Sequence, residues 1–410
     1  MSFDEGLRAE LRTWLAGHWD PGRSLVEWRQ LLVDGRWAVP AWPKEWFGRG
    51  LTEAEASFVK EELRSAGAIG PPLGVGTALA GPTILAHGSD QARSRFLRYL
   101  LTGEEKWCQL FSEPGAGSDL AGLTTTAVID GSEWIVNGQK LWSTSAHHAD
   151  IGLLLARTNW DVPKHRGITC FAIPMRQPGI EVRPIAQMNG YRSFNEIFIT
   201  DARIPAENVI GDIDGGWAVA LTTLAYERRA SGLQKPEYEG SGRAVEEARR
   251  EADDYFDTYR WYPQRAGRVD LALERGRTSG STADPIVRQA LAGLLSLQWA
   301  MDWTARRARA AQARGQAPGA EGSIAKLGAS RIAVEAARVH TLIAGADAML
   351  ASPDGHLDGI AAEILLSVPA QSIAGGTDEI QRNILGEQVL GLPREPPVGK
   401  DLPFRSVHKS

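Results

Sequence analysis

Residues 109–119 read Gln-Leu-Phe-Ser-Glu-Pro-Gly-Ala-Gly-Ser-Asp, a pattern suited to holding a ligand against backbone. A strand ending near Ser112 runs into a loop whose glycines permit close approach of the main chain. Clustered amide donors and the Ser112 and Ser118 hydroxyls suit an anionic or carbonyl-rich ligand, a pyrophosphate or a flavin ring. Trp142-Ser143-Thr144 follows one hairpin later and adds an aromatic plate with two hydroxyls. The same pattern also fits a surface turn with a core tryptophan. It contains neither the GxGxxG of a dinucleotide site nor the GxxxxGK[ST] of a P-loop. Further on, Glu227 lies within Leu224-Ala-Tyr-Glu-Arg228. On a helix, Ala220, Thr223, Leu224, Glu227 and Ser231 share one small, mostly uncharged face, whereas Arg229 points away. A carboxylate desolvated on such a face is a stronger base than one in water. Read alone, a helix glutamate is more commonly a solvated one.

The elements that must position these residues fall into three stretches. Residues 1–107 show helical spacing: Leu7, Leu11, Trp14 and Leu15, then Leu25, Trp28, Leu31 and Leu32 ahead of Gly35. Thr52 with Glu55 forms a capping-box signature, and Ser89 is placed to cap a further helix. From Trp37 to Trp46 three tryptophans and two prolines interrupt any helix. Residues 108–212 predict short strands at 124–129, 134–136, 151–156, 169–173, 180–185 and 195–200, with hairpin signals at Asp130-Gly131 and Asn137-Gly138. They compose a small antiparallel barrel or sandwich. Residues 213–410 return to helix, with candidates at 217–234, 285–314, 323–350, 357–372 and 378–390, enough for a bundle. Residues 235–268 stand out as a charged insertion. A solvated excursion is the leading reading of it, and a lid or partner surface the alternative. The fold class is α+β in the order α, β, α.

Composition bounds the rest. A chain of 410 residues exceeds one core, and 43% apolar with 23% charged residues is ordinary for a globular protein. The net charge of −5 is spread along the chain, so nucleic acid is not an expected partner. Cys108 and Cys170 lie in no CxxC or Cys/His cluster, so neither a disulfide framework nor a metal site is expected, and both read as inert core thiols. His147 and His148 read as exposed polar residues. No run reaches the ~18–20 apolar residues of a membrane span. The first fifteen residues carry Asp4, Glu5, Arg8, Glu10 and Arg12 where a signal peptide would be apolar, so the expected location is cytoplasmic.

Four segments tie these stretches to one family. Glu113-Pro-Gly-Ala-Gly-Ser-Asp119, Asn137-Gly-Gln-Lys-Leu-Trp-Ser-Thr144, Asp201-Ala-Arg-Ile-Pro-Ala-Glu-Asn208 and Gly376-Thr-Asp-Glu-Ile-Gln-Arg-Asn383 resemble successive signatures of the acyl-CoA dehydrogenases. They keep that family's order over most of the chain. The resemblance implies a helical N-terminal domain, a central β domain and a C-terminal four-helix bundle, with FAD as cofactor. It assigns Gln109, Phe111, Ser112, Gly117 and Ser118 to one side of the flavin, Trp142, Ser143 and Thr144 to its ring, and Thr377 and Glu379 to its C-terminal approach. Ser118, Tyr226 and Gly376 are implied near the acyl thioester, although a tyrosine at 226 is more often a packed aromatic.

The activity implied is α,β-dehydrogenation of an acyl-CoA. Many members place the catalytic glutamate immediately before the Gly-Thr of the last motif, where this sequence has Gly375. Glycine takes no proton, though its N–H can bond the thioester carbonyl. A branch resembling isovaleryl- and long-chain acyl-CoA dehydrogenases carries the base on the first C-terminal helix, and Glu227 falls on that position. Arg228 beside it would support the active-site loop or the thioester, or be a plain surface ion pair. An electron-transfer flavoprotein is the electron acceptor the family implies. Two features are eroded. Arg277-Thr-Ser-Gly280 stands where an Arg-x-x-Phe-Gly segment reaches a neighbouring subunit's flavin, and no Gln-x-x-Gly-Gly segment is recognisable, Gly345 and Gly375-Gly376 being poor substitutes. The expectation is a homodimer or tetramer, or a heterotetramer with a related, complementary subunit.

Overall fold

A computed structural model describes residues 3–229, 235–314, 319–351, 358–395, 399 and 401–407. The chain forms two compact units: Met1–Ile185 with Arg192–Thr258 and Gly399–Ser410, and Ala186–Tyr191 with Tyr259–Val398.

The first unit opens with five helices: α1 (Phe3–His18), α2 (Leu25–Asp34), α3 (Glu53–Ser65), α4 (Gly81–His87) and α5 (Asp90–Thr102). The Thr52–Glu55 capping box starts α3, and Ser24 with Glu27 forms another ahead of α2. Ser89 caps α5 by accepting the Ala92 N–H. The spaced leucines and tryptophans meet in one core around Leu11, Trp28, Leu32, Val59, Phe96 and Leu97. Trp28 is buried with its indole N–H donating to the Ile69 carbonyl at 2.6 Å, so the ring buries area without stranding its donor.

Eight strands follow: β1 (Trp107–Leu110), β2 (Thr126–Asp130), β3 (Glu133–Thr144), β4 (Ile151–Arg157), β5 (Ile168–Pro174), β6 (Ile180–Pro184), β7 (Phe194–Pro205) and β8 (Val209–Ile210). They make one sheet in the order β6-β7-β3-β2-β4-β5-β8, with β1 beside β4. The sheet is not wholly antiparallel as expected. β1 runs parallel to β4, because the chain crosses over through the glycine-rich loop and a hairpin before returning. Asp130-Gly131 does separate β2 from β3, but Asn137-Gly138 is no turn. It lies inside β3 at a bulge, where the pairing with β7 shifts between Val136 and Gly138. A Cβ at Gly138 would sit 2.7 Å from the Thr125 Cα, so the glycine lets two backbones touch.

The helix α6 (Gly216–Arg229) then packs on this unit, starting hard against β5: a Cβ on Gly216 would lie 2.7 Å from the Cys170 nitrogen. The predicted continuation of α6 to 234 lies outside the described residues, as does Ser231. The charged insertion is not a solvated excursion. Its helix α7 (Arg243–Asp257) buries Ala244, Val245, Ala248 and Ala252 in the first unit. Arg29, buried on α2, donates to both carboxylate oxygens of Glu251 at 2.6 and 2.8 Å, and Glu247 accepts the Leu25 N–H at 2.7 Å. Small residues every four positions give α7 an apolar stripe that faces the first unit, flanked by Glu247 and Glu251, while Glu246, Arg249, Arg250 and Asp254 face water.

The second unit contains α8 (Tyr262–Arg265), α9 (Val269–Thr278), α10 (Pro285–Ala313), α11 (Glu321–Ala344), α12 (Ile360–Ser367), α13 (Pro369–Ile373) and α14 (Asp378–Ile384). Two small cores hold it, one around Ala272, Leu291, Leu294 and Val339, the other around Ala333, Ile364 and Val368. Asp378 ties α14 to α11 by accepting from Lys326 at 2.6 Å and Ser330 at 2.8 Å. A last short helix, α15 (Phe404–Val407), belongs to the first unit. Among the described residues no helix is long and apolar enough to cross a membrane, and no group of His, Cys, Asp and Glu could hold a metal.

Candidate active site

The glycine-rich loop is closed at its base by a buried carboxylate. Glu113 accepts the Thr124 N–H and hydroxyl at 2.7 and 2.9 Å and the Thr125 N–H at 2.9 Å. Lys140, fully buried on β3, donates to Glu113 at 2.8 Å and to the Phe111 carbonyl at 3.1 Å. Burial alone would raise the Glu113 pKa. The Lys140 charge and these hydrogen bonds outweigh it and hold the carboxyl at about 2. Burial pushes Lys140 below its ordinary value, with the Glu113 carboxylate opposing the shift. Phe111 is buried, and the Ser112 carbonyl accepts the Leu141 N–H at 2.9 Å. Gly117 and Ser118 stay exposed at the rim. The loop is thus fixed by protein groups from beneath while its tip faces outward.

Beside it stands Trp142, with φ at 62° in the left-handed region and 53% of the residue exposed. A non-glycine residue there is strained by about 1–2 kcal/mol. The strain comes from a second irregularity of the β3–β7 pairing, between Lys140 and Ser143, which turns the indole outward against the edge of Phe194. The next residue, Ser143, is buried and its Oγ has no hydrogen-bond partner. Thr144 is half-buried at the end of β3. An aromatic held outward at conformational cost, next to an orphaned hydroxyl and below an open loop, fits a planar ring with polar edges.

Gln109 lies on β1, one residue upstream of the loop, and its Nε2 donates to Glu227 Oε2 at 3.4 Å. Two residues 118 apart in sequence thus share a site. On α6, Ala220 and Thr223 are buried as the face analysis expects, while Leu224, Tyr226 and Glu227 are half-buried. The Thr223 hydroxyl bonds that of Thr83 on α4 at 3.0 Å, and His87 Nε2 pairs with the Thr222 hydroxyl at 2.8 Å. Burial lowers the His87 pKa. These contacts set the rotation of α6 and turn Glu227 toward β1. The side chain of Arg228 lies outside the described residues.

Comparison with known proteins decides the family. Residues 3–104 match the sequence model of the acyl-CoA dehydrogenase N-terminal domain, 108–202 the middle domain and 267–390 the C-terminal domain. The chain belongs to the acyl-CoA dehydrogenase family. It is an oxidoreductase, and its cofactor is FAD. Residues 203–266, with Glu227 and α7, fall between the matched spans. The chain is 34% identical to "Acyl-CoA dehydrogenase IpdE1" of Mycobacterium tuberculosis, covering 95% of this chain and 98% of that one. It is 37% identical to "Acyl-CoA dehydrogenase FadE34" of the same organism, covering 88% and 46%. Among solved structures it resembles the "Tcur3481-Tcur3483 steroid ACAD" (TM-score 0.65, 26% identity, 96% of this chain and 99% of that chain). It also resembles the ChsE4-ChsE5 complex from Mycobacterium tuberculosis (TM-score 0.63, 27% identity, 97% and 99%).

The remaining predicted residues lie in the second unit. Thr377 caps α14 by accepting the Ile380 N–H, and Glu379 pairs with Arg382 at 3.2 Å. Gly375 and Gly376 have φ of 69° and 83°, a turn only glycines enter without strain. Gln381 donates to the Gly375 carbonyl at 3.1 Å, which fixes that turn. His147 and His148 are exposed as expected. Cys108 and Cys170 are buried, and burial pushes the Cys108 thiol up to about 12 and Cys170 upward too, so neither is a nucleophile. Sequence reasoning passed over Glu113, Lys140 and Arg157 as functional supports. Only the proximity of Glu113 and Lys140 to the motif glycines and tryptophan hinted at them.

Proposed function

We propose that this chain α,β-dehydrogenates an acyl-CoA thioester with Glu227 as the base. One observation carries the reading: Gln109 of the flavin strand donates to Glu227, so the carboxylate best placed by helix geometry faces the loop that best suits the cofactor. Gln109, Phe111, Ser112, Gly117 and Ser118 would hold FAD on one side and Trp142, Ser143 and Thr144 on the other; Thr377 and Glu379 are assigned to the cofactor by the family resemblance alone. FAD supplies the acceptor for the β-hydride. Glu227, half-buried and within reach of Gln109, takes the α-proton. The family resemblance assigns Ser118 and, separately, the backbone N–H groups of Gly375 and Gly376 to the thioester, where such donors would stabilise charge developing on its oxygen. Tyr226 and Arg228 would border the acyl group. An electron-transfer flavoprotein would reoxidise the enzyme, and the boundaries 1–107, 108–212 and 213–410 separate the three parts of this machinery.

The test is Glu227→Gln, followed by anaerobic bleaching of bound flavin on adding an acyl-CoA. Bleaching should slow by at least about a thousandfold, at the strong end of what general-base loss costs, with flavin content unchanged. Bleaching at the wild-type rate would refute the base.

A second reading is favoured by Gly375 and the eroded segment at Arg277–Gly280: the chain is a half-site subunit that needs an unlike partner. The two similar structures named above, Tcur3481-Tcur3483 and ChsE4-ChsE5, each pair two differently named chains. Purified alone, such a subunit holds less than one FAD per chain and reaches full occupancy only with a related subunit. Full FAD in a homo-oligomer would refute it.

A further inference from the structure

Arg157, at the end of β4, has no exposed surface. Its guanidinium donates to three backbone carbonyls: Leu123 at 3.1 Å, Ala121 at 2.7 Å and Lys164 at 3.1 Å. The first two belong to the closing half of the flavin loop, and the third to the β4–β5 connection. Lys164 in turn pairs with Asp119 of the loop at 2.6 Å. Burial pulls the Arg157 pKa down to about 10, with Glu113 and Asp119 opposing, so the group stays charged at neutral pH. A buried cation bonded only to carbonyls needs cover that does not compete for its donors.

The cover comes from the far end of the chain. Phe404 of α15 lies over the guanidinium, 3.7 Å from carbon to ring centroid. Its own N–H donates to the Val162 carbonyl at 2.9 Å, the Arg405 N–H to Trp160 at 3.1 Å, and the Arg405 side chain to Asp161 at 2.9 Å. The β4–β5 connection is therefore held between the flavin loop and α15. Removing the ring would admit water to the guanidinium, and water competes with the Ala121 and Leu123 carbonyls for its donors.

We propose that α15 is a latch on the flavin loop, with Phe404 and Arg157 as positioning residues for FAD. The inference rests on the assignment of residues 109–118 to the flavin. The test compares Phe404→Ala, Phe404→Tyr and Arg157→Lys in the full chain, with its partner subunit if one is required. The readouts are the FAD dissociation constant, by flavin fluorescence, and amide exchange over residues 119–125 without FAD. Phe404→Ala and Arg157→Lys should weaken FAD binding about tenfold and speed exchange in that segment, while Phe404→Tyr keeps the stack and stays near wild type. If Phe404→Ala does not fold, Phe404→Leu, which keeps apolar cover without the π face, is read in its place. A contact that serves stability alone lowers the melting temperature while leaving both exchange at 119–125 and FAD affinity unchanged. Unchanged exchange at 119–125 overturns the latch. Faster exchange with unchanged FAD affinity overturns the placement of the flavin on this loop instead.

Discussion

Replacing Glu113 by glutamine tests the clamp beneath the glycine-rich loop. The carboxyl is held at about 2 instead of its ordinary 4.5. At ~1.4 kcal/mol per pH unit this is about 3 kcal/mol of stability at neutral pH. Removing one partner of a buried ion pair leads to a similar figure, about 3–5 kcal/mol, because Lys140 is left charged and buried. The sign follows from the depressed pKa. The contribution is fully present above about pH 5 and is lost as pH falls from the ordinary carboxylate range toward 2. The gap between wild type and Glu113→Gln, read from urea midpoints and slopes, should therefore be about 3 kcal/mol at pH 7. It should narrow by roughly 1 kcal/mol between pH 6 and pH 4. Pairing the change with Lys140→Met should cost less than the two single changes summed, since no lone charge then remains. A gap below about 1 kcal/mol at pH 7, or one that keeps its size down to pH 4, refutes the account.

Two further outcomes follow from the same structure. Glu251→Gln should destabilise the first unit by about 2–4 kcal/mol, by leaving Arg29 buried with half its partner, and should open α7 to proteolysis. Unchanged cleavage of α7 would count against that docking. Trp142→Gly should leave apoprotein stability within about 1 kcal/mol, because relief of the left-handed strain offsets the lost contacts, while FAD affinity falls about tenfold or more. Titration of the apoprotein with FAD separates the two effects, and a large stability loss would show that the exposed indole is part of the core.

Much of this architecture is written locally and so was readable in the sequence. The spaced leucines of α1 and α2, the Thr52–Glu55 box and the β-branched runs depend on periods of a few residues. The glycine-rich loop was readable because glycine and proline restrict the backbone wherever they stand. Asn137-Gly138 misled because the dipeptide favours any left-handed or close-packed backbone, and the partner that chose a bulge, Thr125, lies across the sheet. The parallel β1–β4 pairing, the Arg29–Glu251 bond and the Phe404–Arg157 stack join residues tens to hundreds of positions apart, so no periodicity announces them. Lys140 was hidden for a different reason. A lysine reads as solvated until its counter-ion, here Glu113, is known to be buried with it.

The contact between Gln109 and Glu227 is made wholly inside the first unit, by a strand, a loop and a helix that fold together. Inheritance treats such an arrangement in a particular way. A lineage can rewrite the outward faces of the helices in the second unit, and whatever those faces bind, without retuning the spacing between Gln109 and Glu227. The Gln109–Glu227 register and the choice of company become separable traits. After a gene duplication one copy can keep the register while the other explores new company, a route by which unlike subunits arise from a single ancestral chain.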